Sequence, residues 1–546
     1  MNYQILFIFI TVIGLIKIII NSYHNIRMGK YSLDYIAFLA MALALYSQEY
    51  IAGTVIAIMY IGGQELEKYA SRRAHSALKN LGDTIPKSCL IEKDGTFEEI
   101  HIQDVKEGQI IIVKNNEIIP LDGFIISPDE TYFNLSNLTG EAGPVTLKKG
   151  TFVKSGSVNI GETMKLGVVG DFSSSTYQKI VGLVEEAKAH PAPVIRISEE
   201  ANLYFTAISL SIAIITYILT GDITRLLAVL VIATPCPLII AAPIAFVSGM
   251  SRLARVGIIL RKPSALEGID RASAIFFDKT GTLTLGEPVL SNKDISDEML
   301  VIAAGLEIHS LHPLARTIVN EARRRNIHFT ISEDVKEEIG KGISGTINGE
   351  RYSLFGVSLS KEGIEIERFH FDDVLKEGAT DLVLHLKKQG IRTAIITGDK
   401  EENARRIFGG NDIDIYADQS PEEKYSLIEK EKIEGKTVVM VGDGINDAPA
   451  LTKADVGIVF SGTENGASIQ AADVVVLGNG LDKLDTLFKT SYKTMQVAKQ
   501  SIFGGISLSV IGMILAAFGF ITPVEGALIQ ECIDIVVILN ALRALT

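Results

Sequence analysis

Apolar residues in this chain fall into long blocks separated by two stretches of different texture. Residues 3–22 form a run long enough to cross roughly 30 Å of hydrocarbon. Residues 33–63 hold two apolar stretches split by Ser47, Gln48 and Glu49, which reads as a tight helical hairpin. Residues 201–220 and 226–249 make a second pair around Gly221 and Asp222. Residues 502–522 and 524–545 make a third, with Thr522 and Pro523 at the turn. The pattern predicts seven spans, and the odd count places the N-terminus outside.

The intervening stretches are polar and patterned. Residues 85–170 alternate apolar and polar positions with frequent Gly and Asn-Asn breaks, as expected of a compact β domain. Residues 271–485 alternate strands with helices: AIFFD, a helical 298–325, TAIIT, VVMVGD and ADVVVL. Short apolar strands ending in Asp or Thr predict a parallel α/β sheet with loops at its C-terminal edge. Residues 287–372 read as an insertion into that sheet.

Composition sharpens this picture in three places. The mean hydropathy of +0.27 is high for a soluble protein. A net charge of -13 over 546 residues argues against a nucleic-acid partner, because phosphate binding needs a basic surface. Cys89, Cys236 and Cys532 lie too far apart for a CxxC clip, and no disulfide framework is read. Residues 3–22 lack a basic n-region and a small-residue cleavage site, so a span is expected there rather than a signal peptide. Lys and Arg flank the large loops (Arg27, Lys30, Lys68, Arg72, Arg73, Arg252, Arg255, Lys499), while the hairpin tips carry only Arg225; the large loops are expected in the cytoplasm.

Candidate chemistry sits at the strand ends. AIFFDKTGTLT (274–284) ends its strand in Asp278, a carboxylate able to attack a γ-phosphate and form an acyl phosphate. Lys279 would neutralise phosphate charge, and Thr280 and Gly281 supply donors at close range. VVMVGDGINDAPAL (438–451) places Asp443, Asn446 and Asp447 around a Gly-rich turn, hard oxygen ligands that suit Mg²⁺. TAIITGD (393–399) brings Thr397, Gly398 and Asp399, and Lys424 in SPEEK is a candidate for the phosphoryl oxygens. Each motif alone reads as an ordinary Asx turn or a solvated lysine; four of them in one α/β segment do not.

The order DKTGT, TGD, PEEK, GDGIND resembles the P-type ATPases of the haloacid-dehalogenase superfamily. The resemblance implies ATP as substrate, Asp278 as the phosphorylated residue, and Asp443 and the Thr280 carbonyl as Mg²⁺ ligands. LTGEAGPV (138–145), with Thr139, Gly140 and Glu141, resembles the family's dephosphorylation loop, Glu141 positioning water as general base. Ala142 stands where the family usually has Ser. In the insertion, His312-Pro313 resembles the His-Pro motif of heavy-metal pumps, whose His contacts adenine; Glu307 matches the family's acidic position. Gly340 and Gly342 would let a backbone approach the nucleotide closely.

The expected fold is therefore a multi-domain membrane protein: an α-helical transmembrane bundle, a β-rich actuator domain, and an α/β haloacid-dehalogenase-like phosphorylation domain with an inserted α+β nucleotide-binding domain. The expected divisions are spans at 1–71, actuator with flanking helices at 72–197, spans at 198–255, phosphorylation domain at 256–286 and 373–490, nucleotide domain at 287–372, and spans at 491–546.

For the transported ion, ATPCPLIIAAP puts Cys236 between Pro235 and Pro237 inside the span 226–249. Mid-helix prolines leave carbonyls unpaired, tolerable in lipid only where the helix lines a protein site. The resemblance places the metal site here, with Thr234-Pro235-Cys236 replacing the more usual Cys-Pro-Cys or Ser-Pro-Cys. On the last span Gln530 and Asp534 share a helix face, and Glu531 lies three before Asp534. One thiolate with carboxylates and an amide suits Ni²⁺, Co²⁺ or Fe²⁺, then Zn²⁺, ahead of Cu⁺. The region 504–513 has neither the Asn nor the Tyr of copper members. Glu67 resembles the family's entry acid, and Glu49 is a candidate for release. The family usually has eight spans and often a CxxC domain, neither of which this sequence shows. The reading is a plasma-membrane pump, working as a monomer, that exports a divalent transition metal, with its metal donor left open. A membrane-tethered haloacid-dehalogenase phosphatase and a potassium-pump subunit are the competing classes, disfavoured by the TGE loop and the Pro-Cys-Pro segment.

Overall fold

The computed structural model describes the chain apart from residues 1, 28–34, 84–85, 87, 94–95, 135–143, 177, 179–181, 183–192, 234–235, 292–294, 311, 339–341, 409–412, 443–446, 461–470, 479 and 546. Two compact units emerge: Met1–Arg271 with Asp473–Gly478 and Asp485–Thr546, and Ala272–Ala472 with Asn479–Leu484.

The first unit holds the apolar helices and the β domain. Helices Asn2–Arg27, Tyr35–Tyr46, Tyr50–Asp83, Pro193–Thr220, Asp482–Ala517 and Pro523–Ala541 form where the apolar blocks predict them. Their shared core includes Ile18, Met41, Ile56, Leu227, Ile232 and Met513. Outward faces carry Ile5, Phe9, Ile16, Ile218, Phe503, Ile511 and Val536, all exposed, which fits a hydrocarbon surround rather than water. Among the described residues, Tyr3–Tyr23 and Asp482–Ala517 are at once long and apolar enough to cross a membrane; Ile36–Tyr46, Tyr204–Thr220 and Ile223–Ile232 are shorter apolar helices. Two of the hydroxyls inside these helices bond back to carbonyls one turn earlier, Thr11 to Phe7 (2.9 Å) and Thr216 to Ile212 (2.8 Å), which gives them a partner within their own helix.

The hairpin tips close on their own side chains. Asp222 accepts from the Thr224 amide at 2.9 Å, capping the next helix. Thr522 and Glu525 make a reciprocal capping box, with Pro523 in the first turn. Over the span expected at 226–249 the described helices are Ile223–Ile232 and Cys236–Arg255, and Thr234 and Pro235 lie outside the described residues.

The β domain pairs its strands in the order Thr96–His101, Ser88–Lys93, Ile110–Val113, Met164–Val168, Gly123–Ser127, Phe152–Val153, with a three-stranded sheet of Pro144–Lys148, Glu130–Asn134 and Val158–Asn159. Alternation puts Ile111, Val113, Ile125, Phe133, Met164 and Leu166 inside. Buried Asp122 ties this domain together: Oδ1 accepts from the Ser155 amide and hydroxyl (both 2.7 Å), and Oδ2 from the Thr176 amide (2.9 Å) and hydroxyl (2.8 Å).

In the second unit, parallel strands lie in the order Val456–Phe460, Val438–Gly442, Ala274–Asp278, Arg392–Ile396, Asp414–Tyr416. Val474–Val476, from ADVVVL, pairs antiparallel with Ile258–Leu260. Between the antiparallel partners Thr284–Leu290 and Phe371–Leu375 lie two helices and a five-stranded antiparallel sheet spanning 333–368. The helical stretch expected at 298–325 breaks into Asp297–Glu307 and Pro313–Arg324, because His312 before a proline takes an extended conformation (φ -63°, ψ 141°) and caps the second helix.

Replacing Asp122 by Ala strands four donors, two of them backbone amides. The β domain is expected to lose about 3 kcal/mol, with Asn costing less, measured as hydrogen-exchange protection of strands 110–113 and 164–168.

Candidate phosphorylation, nucleotide and cation sites

The strand Ala274–Asp278 is buried over its whole length and flanked on both sides by parallel strands. Its C-terminal end is where loops from both neighbours converge, the usual ligand position of such a sheet. Asp278 Oδ1 accepts from Lys424 Nζ at 2.6 Å, and the same ammonium donates to Asp447 Oδ1 at 2.8 Å. Lys424 is placed by the first turn of Pro421–Ile433, which starts at a Ser420/Glu423 capping box. Burial disfavours its charge, but the two carboxylates outweigh that and hold its pKa above the ordinary lysine value. Asp447 lies against Gly442, where a side chain would collide with the carboxylate.

The loop after Asp278 is held from the other side. Lys279, 1% exposed, has its ammonium on the carboxylates of Asp373 and Asp399. Burial again opposes the charge, and the two carboxylates reverse the balance, raising the pKa. Thr280 is extended (φ -77°, ψ 128°) and exposed, and Gly281 takes φ 71°, a turn that a side chain would strain. Thr284 Oγ bridges the loop, accepting from the Gly281 amide and donating to the Lys279 carbonyl, both at 3.3 Å. Lys376 Nζ donates to the Gly281 carbonyl at 2.5 Å. Thr397 is buried and its hydroxyl accepts from the Asp399 amide at 3.1 Å.

The structure thus brings together Asp278, Lys279, Thr280, Thr397, Lys424 and Asp447. Sequence reasoning did not single out Asp373 or Lys376. Their signal is an Asp-Asp pair and a lysine around the strand Phe371–Leu375, where the chain returns from the insertion, a position with no motif of its own. Asp443 and Asn446 lie outside the described residues, as do Thr139, Gly140, Glu141, Gly340 and Thr234.

In the insertion, Glu307 ends its helix buried, 7% exposed, close to Glu337. Burial first, and the Glu337 charge second, push its pKa up to about 7. Glu337 accepts from Ser310 Oγ at 2.6 Å, and that hydroxyl accepts from the His312 amide at 3.3 Å. His312 Nδ1 accepts from the Leu314 amide at 3.3 Å, leaving the Nε2 edge of the ring to face outward chemistry. Gly342 has φ 140°, and a Cβ there would sit 2.2 Å from the Leu354 carbonyl. Ser310 thus links Glu337 to the His312 amide beside the buried Glu307.

In the apolar bundle, Gln530 is fully buried and donates from Nε2 to Asp534 Oδ1 at 2.9 Å. Asp534 is 8% exposed, whereas Glu531 is only half-buried on an adjacent face. Cys236 opens the helix Cys236–Arg255. Glu49 stands in the turn before Tyr50–Asp83, and Glu67 lies along that helix.

Comparison with known proteins follows this geometry. Residues 272–455 match the haloacid dehalogenase-like hydrolase family, and residues 83–185 match the P-type ATPase actuator domain. A probable cadmium-transporting ATPase of Staphylococcus aureus is 30% identical over 590 aligned positions, covering 99% of this chain and 73% of that protein. A probable copper-importing P-type ATPase A of Enterococcus hirae is 32% identical, covering 90% and 73%. The crystal structure of a zinc-transporting PIB-type ATPase in the E2.Pi state superposes with a TM-score of 0.64 at 28% identity, covering 100% of this chain and 95% of the other. An aspartate-ended parallel strand with its lysine bridge and an actuator domain occur here in one chain that aligns along nearly its whole length with such pumps: it belongs to the P-type ATPases, in the type IB group of metal-transporting ATP hydrolases.

Proposed function

We propose that this pump exports a divalent transition-metal cation, taken between Cys236 and Asp534, through a phosphoryl intermediate on Asp278. The observation that carries the catalytic half is the Lys424 bridge between Asp278 and Asp447. It sets the Asp278 carboxylate against a cationic centre, from which it attacks the γ-phosphorus in line; the P–O bond to ADP breaks as the acyl phosphate forms. Two carboxylates on one ammonium leave a net negative, all-oxygen cluster, and that donor chemistry fits Mg²⁺, which would be held by Asp278, Asp443 and the Thr280 carbonyl with Asn446 and Asp447 nearby. When bound, Mg²⁺ neutralises charge on the transferring group. Lys279 is kept cationic by Asp373 and Asp399 and offers charge on the loop that receives the phosphoryl oxygens, with Thr397 at the next strand end. His312 and Glu307, with Gly340 and Gly342, receive the adenine end of ATP. Glu141, on the Thr139-Gly140-Glu141 loop, directs water at the acyl phosphate, which resets the cycle. The soluble domains lie in the cytoplasm and the apolar helices in the membrane.

For the cargo, the single thiol of Thr234-Pro235-Cys236 and the carboxylate of Asp534 make a mixed, borderline donor set. That favours Ni²⁺, Co²⁺ or Fe²⁺, with Zn²⁺ and Cd²⁺ next. The relatives named for cadmium and zinc support a divalent ion as a class, and the relative named for copper keeps Cu⁺ as the competing cargo.

Three outcomes are expected. Asp278→Asn lowers the hydroxylamine-labile phosphoprotein formed from ATP by at least about a hundredfold, read on acid gels. ATPase activity of the purified chain rises most with one of Ni²⁺, Co²⁺, Fe²⁺, Zn²⁺ or Cd²⁺; strongest stimulation by Cu⁺ would overturn the donor-set argument. The third concerns Glu307, whose pKa of about 7 lies above its unfolded value of 4.5. The folded form keeps a proton that the unfolded chain has released, so stability falls as pH rises between those values and levels off above them. Glu307→Gln should therefore match wild type near pH 5 and exceed it by about 2 kcal/mol at pH 8, measured by unfolding of the nucleotide domain.

A further inference from the structure

Three buried polar groups form a ladder between the last two helices of the apolar bundle. Ser509, 1% exposed on Asp482–Ala517, donates from Oγ to Gln530 Oε1 at 3.3 Å. Gln530, on Pro523–Ala541, passes the ladder on from its Nε2 to Asp534 Oδ1. The two ends of an amide are chemically distinct, and here each has a partner that identifies it: a hydroxyl donor meets the carbonyl, and a carboxylate acceptor meets the NH₂. Gln530 thus turns its donor end to Asp534. Its carbonyl, the end able to ligate a cation, accepts from the serine.

We propose that Ser509 is a positioning residue of the cation site, holding Gln530 as a hydrogen-bond donor to Asp534 and withholding the amide carbonyl from the transported ion. The inference rests on the reading that Asp534 takes that ion. It also revises the role of Gln530 from oxygen ligand to partner of the carboxylate. Two effects follow. With no cation bound, the amide solvates a carboxylate that would otherwise be costly to bury in apolar surroundings. With a cation arriving, holding the amide as a donor keeps one oxygen out of its ligand set. Hard ions such as Mn²⁺, Mg²⁺ and Ca²⁺ want six or more oxygens and are disfavoured, while an ion content with a thiolate and one carboxylate is accepted. Ser509 then contributes to selectivity without touching the ion.

The test is metal-stimulated ATPase activity of the full chain reconstituted in lipid, comparing wild type with Ser509→Ala, Ser509→Thr and Asp534→Asn. Ser509→Ala frees the carbonyl to rotate toward the site. The half-activating concentration of the best transition ion is expected to rise about three- to tenfold, the worth of one hydrogen bond. That for Mn²⁺ should stay or fall, so the ratio of the two shifts toward Mn²⁺, with maximal rate changed by less than about twofold. Ser509→Thr, which keeps the hydroxyl, should behave as wild type. Phosphorylation by inorganic phosphate with Mg²⁺ but no transported ion reports folding of each variant, and Ser509→Val, which also lacks the hydroxyl, replaces an alanine variant that fails it. An unchanged ion ratio in the alanine or valine variant overturns the proposal, as does a threonine variant as impaired as alanine, which would assign the effect to packing. If Asp534→Asn keeps full metal stimulation, the underlying cation-site reading fails; if it abolishes stimulation while the ion ratio of Ser509→Ala is unmoved, only the role given to Ser509 fails.

Discussion

One ammonium group organises the catalytic half of this molecule. Lys424 Nζ lies within hydrogen-bond distance of both Asp278 and Asp447, and without it two carboxylates would face each other at the buried end of a sheet. Like charges in that setting drive one another to take up a proton, and a protonated Asp278 would be a poor nucleophile. The sheet, the capped helix that carries Lys424 and the glycine that lets Asp447 close in all serve that one charge arrangement.

A second lysine repeats the principle a few residues away. Lys279 is almost wholly buried yet kept cationic by Asp373, within the strand Phe371–Leu375, and Asp399, in the loop after Arg392–Ile396. Because Asp373 and Lys376 both belong to the segment by which the chain returns from the nucleotide-binding insertion, the phosphorylation loop is tied to that segment through a side chain at Lys279 and a carbonyl at Gly281. The loop's geometry and the insertion's return strand are thus not independent.

Much of this was legible in the residue order. Strand-ending motifs such as DKTGT and GDGIND announce themselves because phosphoryl chemistry requires particular groups at fixed offsets, and apolar blocks announce helices because lipid tolerates little else. Hairpin tips at Ser47–Glu49, Gly221–Asp222 and Thr522–Pro523 fell where predicted. Continuity was less legible: the helix expected over 298–325 breaks at His312, because a proline holds its predecessor in extended backbone. Asp373 and Lys376 were missed for a different reason: their roles depend on long-range folding, not local pattern.

The self-closed hairpin tips bear on how such a chain enters a bilayer. At Asp222 and Thr522–Glu525 the exposed amides that start each second helix are already answered by side chains one to three residues away. A tip arranged this way presents little unsatisfied polarity while it is being carried through hydrocarbon, so each helical pair is suited to integrate as a unit during biosynthesis instead of one segment waiting for the other.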